Sequence, residues 1–209
     1  MTSMKSLALA GIGLLGPLAA AQVILFDFDT APLHASLPLD LSVGGVTAHF
    51  SATGQGFSIQ SAGVLGFTPV GFSGYSIYPA SVNAADLLVG FSKPISAFSV
   101  LYAPEEYATD SSCTMRVTTY MGSTFVGTST HSIDPPGTWP TGTLAISSPT
   151  PFDNVVVHYD RAPVTGGDYG PIFMADNLQI TLVPEPSSAV VVAVALSLGA
   201  ALRSRRTRR

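Results

Sequence analysis

The 209-residue chain holds one cysteine, one tryptophan and few charges, with only 11% of residues being Asp, Glu, Lys or Arg. A lone Cys113 excludes an intramolecular disulfide, so stability has to come from buried side chains. It sits in an alternating apolar run, reads as a small buried hydrophobe, and has no partner motif that would make it a nucleophile. Cations are scarcer still. Between residues 22 and 182 only Lys93, Arg116 and Arg161 stand against twelve carboxylates, a net charge of −9. Such a body will not hold nucleic acid or an anionic membrane by charge, but it is compatible with calcium or a neutral polymer. No Gly-x-Ser-x-Gly elbow is present, which removes the α/β-hydrolase reading. His34, His49, His131 and His158 lack the short spacing of zinc ligands. Glu105-Glu106 follows Pro104 in what reads as a solvated loop, and no motif places a second carboxylate across from them, as glycoside hydrolysis requires.

Both ends carry transport signals. Lys5 precedes an apolar stretch from Leu7 to Leu18, and Ala19-Ala20-Ala21 supplies small residues for cleavage, the layout of a secretory signal peptide over residues 1–21. At the other end, Val183-Pro-Glu-Pro-Ser-Ser188 leads into an apolar run from Ala189 to Leu202, then an arginine-rich stub with five of the chain's nine basic residues. The run is 14 residues, shorter than the roughly 20 that span a bilayer comfortably, but Ser187 and Ser188 extend it and Arg203 can snorkel. Basic residues stay cytoplasmic, so the body faces outward, in agreement with the signal peptide.

The Pro184-Glu185-Pro186 triplet, the apolar segment and the Arg-rich end resemble the PEP-CTERM sorting signal over residues 183–209. The resemblance implies an exosortase as partner, an intramembrane protease that removes the tail. The protein would be anchored in the inner membrane before processing and reach the cell surface or extracellular matrix afterwards.

Residues 22–182 show no sustained helical period. Short β-rich runs recur between Gly, Pro, Ser and Asn: Val23–Asp29, Gly45–Ala52, Phe57–Gln60, Tyr75–Tyr78, Leu87–Ser92 and Ile95–Ala103, then Thr114–Tyr120, Thr124–Ser129, Thr143–Ser147, Val155–Tyr159 and Ile172–Leu182. Lys93-Pro94 reads as a tight turn, Met121-Gly122-Ser123 as a hairpin and Pro149–Asn154 as a loop. Phe98, Val100 and Tyr102 alternate with polar or exposed positions, and so do Leu178, Ile180 and Leu182, as antiparallel sheets with one wet face require. The pattern predicts an all-β domain, a sandwich or barrel. The Leu87–Leu101 segment and the ending Phe173-Met-Ala-Asp-Asn-Leu-Gln-Ile-Thr181 resemble galactose-binding-like jelly rolls, which implies an antiparallel jelly-roll β-sandwich.

That resemblance also implies a structural calcium where the first and last strands meet, held by Asp27 or Asp29 and Asp176. The alternative is that Asp176-Asn177 merely forms a bulge or turn. For sugar, the candidates are aromatics near predicted loops: Trp139 in Asp134-Pro-Pro-Gly-Thr-Trp-Pro140, with Tyr75 and Tyr78. Trp139 folded back over the core edge is the competing reading. The sequence favours a non-enzymatic exported module that adheres to or organises extracellular polysaccharide. An exported polysaccharide hydrolase and a purely structural envelope module are the alternatives.

Overall fold

The computed structural model describes residues 20–54, 56–80, 85–104, 113–133, 140–160 and 173–184. Glu105, Glu106, Trp139, Glu185, Pro186, the signal-peptide stretch and the apolar tail lie outside the described residues, and no helix among the described residues is long and apolar enough to cross a membrane. One compact unit spans Ala21–Val183.

The described part is all-β and antiparallel. Ten strands run in order: β1 (Val23–Phe26), β2 (Leu39–Val43), β3 (Val46–Ala52), β4 (Phe57–Ser61), β5 (Tyr75–Pro79), β6 (Leu87–Pro104), β7 (Cys113–Met121), β8 (Thr124–Ile133), β9 (Gly142–Tyr159) and β10 (Phe173–Leu182). β6 and β9 are each 18 residues long. A straight strand of that length would reach about 60 Å, whereas a domain of this size is roughly 40 Å across. Both strands therefore bend and cross from one layer of a sandwich to the other.

The bends sit at the prolines. β6 pairs with β3 through Leu87–Phe91, then with β10 through 95–104, while β9 follows its other edge. Between Gly90 and Ile95 the β6–β9 register shifts, and it shifts again across from Ser148–Pro151. Pro94, Pro149 and Pro151 lie in these unpaired stretches, where a missing N–H costs no ladder bond. The tight turn expected at Lys93-Pro94 and the loop expected at Pro149–Asn154 are thus kinks inside continuous strands. The buried positions change phase across each kink, from Leu87, Val89 and Phe91 to Phe98, Val100 and Tyr102 in β6 and from Leu144 to Val155, Val157 and Tyr159 in β9, so each flanking run was legible on its own and their joining was not.

The front layer is β2-β3-β6-β9-β7-β8, using Leu87–Phe91 of β6 and 154–159 of β9. The back layer holds β4-β5-β10-β6-β9, using the other halves, with β1 beside β10 below β5. Phe26 and Phe28 meet Phe50 edge-on at 6.1 and 5.2 Å, and Phe91 packs 6.5 Å from Phe98, so the inner faces close on one core. Tyr102 of the back layer, fully buried, hydrogen-bonds His131 Nδ1 (2.9 Å) and His131 O (3.2 Å) in the front layer, which gives the buried hydroxyl its partner.

The first strand ends at Phe26, three residues before the predicted limit. β2 was not anticipated. Its signal was Gly44-Gly45, both at positive φ (58° and 77°), a two-residue turn between Val43 and Val46. The hairpin at Gly122 forms as expected, with Met121 opposite Thr124.

Candidate functional site

The outer face of the back layer is divided. Along β10 the residues facing outward are Met174 and Asp176, then Gln179 and Thr181. The outward positions switch from even to odd numbers at a bulge at Asn177, where a φ of 50° accompanies one extra residue between Asp176 and Gln179. The Asp-Asn pair is therefore a bulge inside the last strand, and this bulge is the border between two different surfaces.

On one side of it, the connection from Ala62 to Gly74 folds over the sheet. Phe72 sits 6% exposed against Ala62, Ala103 and Met174, with Tyr78 and Leu101 packed at the margin. The loop is fastened to the carboxylates. Asp176, 1% exposed, accepts Ser73 N–H with Oδ2 (3.2 Å) and Asn177 N–H with Oδ1 (2.7 Å). Asp29 Oδ1 accepts Tyr75 N–H at 2.7 Å, and Asn177 Nδ2 donates to Gly71 O at 3.1 Å. Gly74 lies so close to Asp29 that a Cβ would fall 1.9 Å from its Oδ1. Phe28 takes a φ of 63° with its ring buried, which leaves Asp27 and Asp29 outward on either side of it. Asp27 Oδ1 accepts the Asp29 N–H at 3.2 Å.

Burial pushes the Asp176 carboxyl up to about 7 against the pull of its two N–H donors, and the charges of Asp29 and Asp27 add to the rise. The three carboxylates expected to share calcium are therefore near enough to repel one another. Each is turned to backbone N–H groups, and among the described residues no three His, Cys, Asp or Glu side chains converge as metal ligands. The β5–β10 pairing of Ile77 with Ala175 sets Ser76 across from Asp176, and the fully buried Ser76 hydroxyl has no hydrogen-bond partner among the described residues.

Tyr75 and Tyr78 do not form one platform. Three residues apart on β5, they point to opposite faces: Tyr75 packs against the main core and Tyr78 against the cluster around Phe72.

On the other side of the bulge the sheet is open. Two rows cross four strands: Leu25, Gln179, Ser99 and Ala145 form one, and Val23, Thr181, Ala97 and Ser147 the next. Small side chains make the floor of a groove of about 270 Å³. Val23 and Leu25, 55% and 44% exposed, edge it on β1. None of these eight side chains carries a charge, while three hydroxyls and one amide offer donors and acceptors. Sequence reading missed the groove because it looked for aromatics. Its signal was the run of Ala and Ser at the outward positions of adjacent strands.

No family model matches the chain, and no curated protein matches it. Among solved structures it is similar to the K2 cleaved adhesin domain of Lys-gingipain, at 14% identity over 77% of this chain and 100% of that one, with a TM-score of 0.48. It is also similar to a family 29 carbohydrate-binding module, at 15% identity over 78% of this chain and 93% of the module, TM-score 0.39. The module CsCBM6-3 of Clostridium stercorarium, solved with cellobiose, shares 14% identity over 64% of this chain and 87% of its own length, TM-score 0.36. At overlaps this low, neither fold nor function passes from these structures to this chain.

Proposed function

We propose that the protein is an exported, non-enzymatic β-sandwich of jelly-roll type that associates with uncharged extracellular polysaccharide. Its tail would first be removed by an exosortase-type protease. The observation that carries the binding reading is the uncharged groove. A neutral polymer gains nothing from ionic side chains. It needs a shallow trough that admits a chain, hydroxyl and amide partners for its hydroxyls, and apolar surface for its C–H faces. Ser99, Ser147, Thr181 and Gln179 in the groove supply the second requirement, and the exposed Val23 and Leu25 on the adjoining β1, opposite Thr181 and Gln179, the third. The acidic body works in the same direction by repelling anionic polymers.

Affinity electrophoresis of the mature protein through gels containing galactomannan or dextran tests this. The wild type is expected to be retarded by at least one of them. Ala145→Arg, which sets a long charged side chain in the groove from an exposed position, is expected to lose that retardation about tenfold with an unchanged melting temperature. No retardation of the wild type, or an undiminished effect in the variant, would overturn the assignment to the groove. Processing is tested separately: intact-mass measurement of the surface-released protein is expected to lack Arg209.

A further inference from the structure

The front layer presents a different surface, on the opposite side of the sandwich. One row crosses five strands: His49 on β3, Gly90 on β6, Asn154 on β9, Tyr120 on β7 and Phe125 on β8, each opposite the next in register. Their chain neighbours Ala48, Phe50, Val89, Phe91 and Val155 are buried in the core, so the row itself faces outward. Gly90 has no side chain. His49 and Asn154 therefore stand two strand spacings apart, about 10 Å, across a notch with a backbone floor. A Cβ added at Gly90 would meet Asn154 Oδ1 at 3.4 Å, which shows the amide oxygen leaning over that floor.

The amide is held that way. Asp153 Oδ1 accepts from Asn154 Nδ2 at 2.6 Å and from Gly122 N–H at 2.7 Å, which fixes the nitrogen on the turn side and leaves the oxygen to the notch. His49 is tied through Nδ1 to Asp40 at the opposite wall. Beyond Asn154, Tyr120 and Phe125 meet edge-on with ring centroids 6.2 Å apart, and Phe125 is 59% exposed.

We propose that this notch is a second glycan site, one that takes one sugar ring of a polymer between His49 and Asn154 and sets the C–H face of the adjoining ring against the Tyr120–Phe125 pair. An exposed aromatic beside oriented amide and imidazole groups matches the two-sided chemistry of a sugar, apolar on one face and hydroxylated at the rim. A protein partner fits less well. Tyr120, Met121 and Phe125 are the large apolar side chains at this corner, far short of the roughly 800 Å² per partner that a stable interface buries. With the groove on the back layer, the module would hold two chains on opposite faces and cross-link them. This bivalency rests on the groove reading above, whereas the notch stands without it.

The test uses the mature protein, its groove variant Ala145→Arg, two notch variants (Gly90→Leu, which fills the floor, and Phe125→Ala, which removes the exposed ring) and the double variant Ala145→Arg/Gly90→Leu. Each is run by affinity electrophoresis in galactomannan and dextran, and by turbidity on mixing with the same polymers. Melting temperatures identify any variant that fails to fold, and Phe125→Ala, at an exposed position, serves if Gly90→Leu does so. The wild type is expected to bind and to form cross-linked turbid mixtures. Each single variant is expected to keep retardation, reduced about tenfold or less, and to lose turbidity, and the double variant is expected to lose both. Retardation that survives Ala145→Arg but vanishes with either notch variant supports the notch and removes the groove. Notch variants that bind and cross-link as the wild type does would overturn the notch whatever the groove does. Turbidity that instead appears with an unrelated protein mixture and never with polysaccharide would overturn the assignment in favour of a protein partner.

Discussion

Two halves of one sheet face, built on the same strands, end up with opposite characters. The half before Asn177 is roofed by the 62–74 loop and contains a buried carboxyl and a buried hydroxyl. The half toward the end of β10 is bare, neutral and floored by Ala and Ser. The single bulge at Asn177 separates them by re-aiming the strand without changing which face is outside. The comparison teaches what the carboxylates are for in this structure. They serve as fasteners for a loop through its N–H groups, and the open half, which needs no loop, has none. Carboxylate clamps of this kind cost desolvation at Asp176 and return order to a 13-residue connection that otherwise holds few backbone bonds.

The strongest way to break the contrast is to unfasten the roof. Gly74→Ala places a methyl where no space is left for one. The Asp29 carboxylate already occupies that volume, with Oδ1 at 1.9 Å, and the φ of 54° disfavours any Cβ. The variant is expected to lose about 3 kcal/mol or more in urea unfolding, with the loop's amides losing hydrogen-exchange protection. A loss below about 1 kcal/mol would mean that the clamp at Asp29 is not holding the roof. A substitution of similar size on the open half, such as Ala145→Ser, is expected to stay within about 0.5 kcal/mol.

How much of this was legible in the sequence depends on the range of the interaction. Strand alternation is local, so Phe98, Val100 and Tyr102, and Leu178, Ile180 and Leu182, showed their buried sides directly. Gly44-Gly45 was also local and readable as a two-residue turn. The continuity of β6 through Lys93-Pro94 was not, because a proline at a register break and a proline in a turn look alike until the partner strands are known. Asp29 and Asp176 stood out in the sequence as carboxylates near the first and last strands. Their attachment to Tyr75 N–H and Ser73 N–H came from a loop whose fold the sequence does not announce. The row His49, Gly90, Asn154, Tyr120 and Phe125 joins five strands from all over the chain, so no window of sequence contains it.

The next effect is pH-dependent and belongs to the roofed half alone. A carboxyl at about 7 in the folded protein and near its ordinary value of about 3.9 when unfolded binds its proton more tightly when folded. Stability therefore falls as pH rises from about 4 to 7 and levels off above that, because the folded state must give up a proton that the unfolded state has already lost. The wild type is expected to be less stable at pH 8 than at pH 5, by on the order of 2 kcal/mol from this group. In Asp176→Asn the contribution should vanish, so the difference between variant and wild type shifts in the variant's favour with rising pH. A difference independent of pH would show that Asp176 is ionised throughout. Added calcium sharpens the same point. If the carboxylates act only as clamps for amides, millimolar calcium leaves the melting temperature at pH 8 unchanged, and a clear rise would support the calcium that the resemblance implied.

The smallest effect distinguishes a functional polar cluster from a packing remainder. Ser76 lies fully buried opposite Asp176, and its hydroxyl has no partner among the described residues. A buried hydroxyl without a hydrogen bond costs about 1–3 kcal/mol relative to one in water, and removing it leaves a methyl of nearly the same shape. Ser76→Ala is therefore expected to be neutral or to stabilise the fold by up to about 1 kcal/mol at pH 8. If it destabilises by more than that, the hydroxyl has a partner, and the side chain directly across the β5–β10 pair is Asp176. The pH series then separates the two cases. A hydroxyl that donates to the ionised carboxylate makes Ser76→Ala costlier at pH 8 than at pH 5, whereas a hydroxyl with no partner gives the same small effect at both.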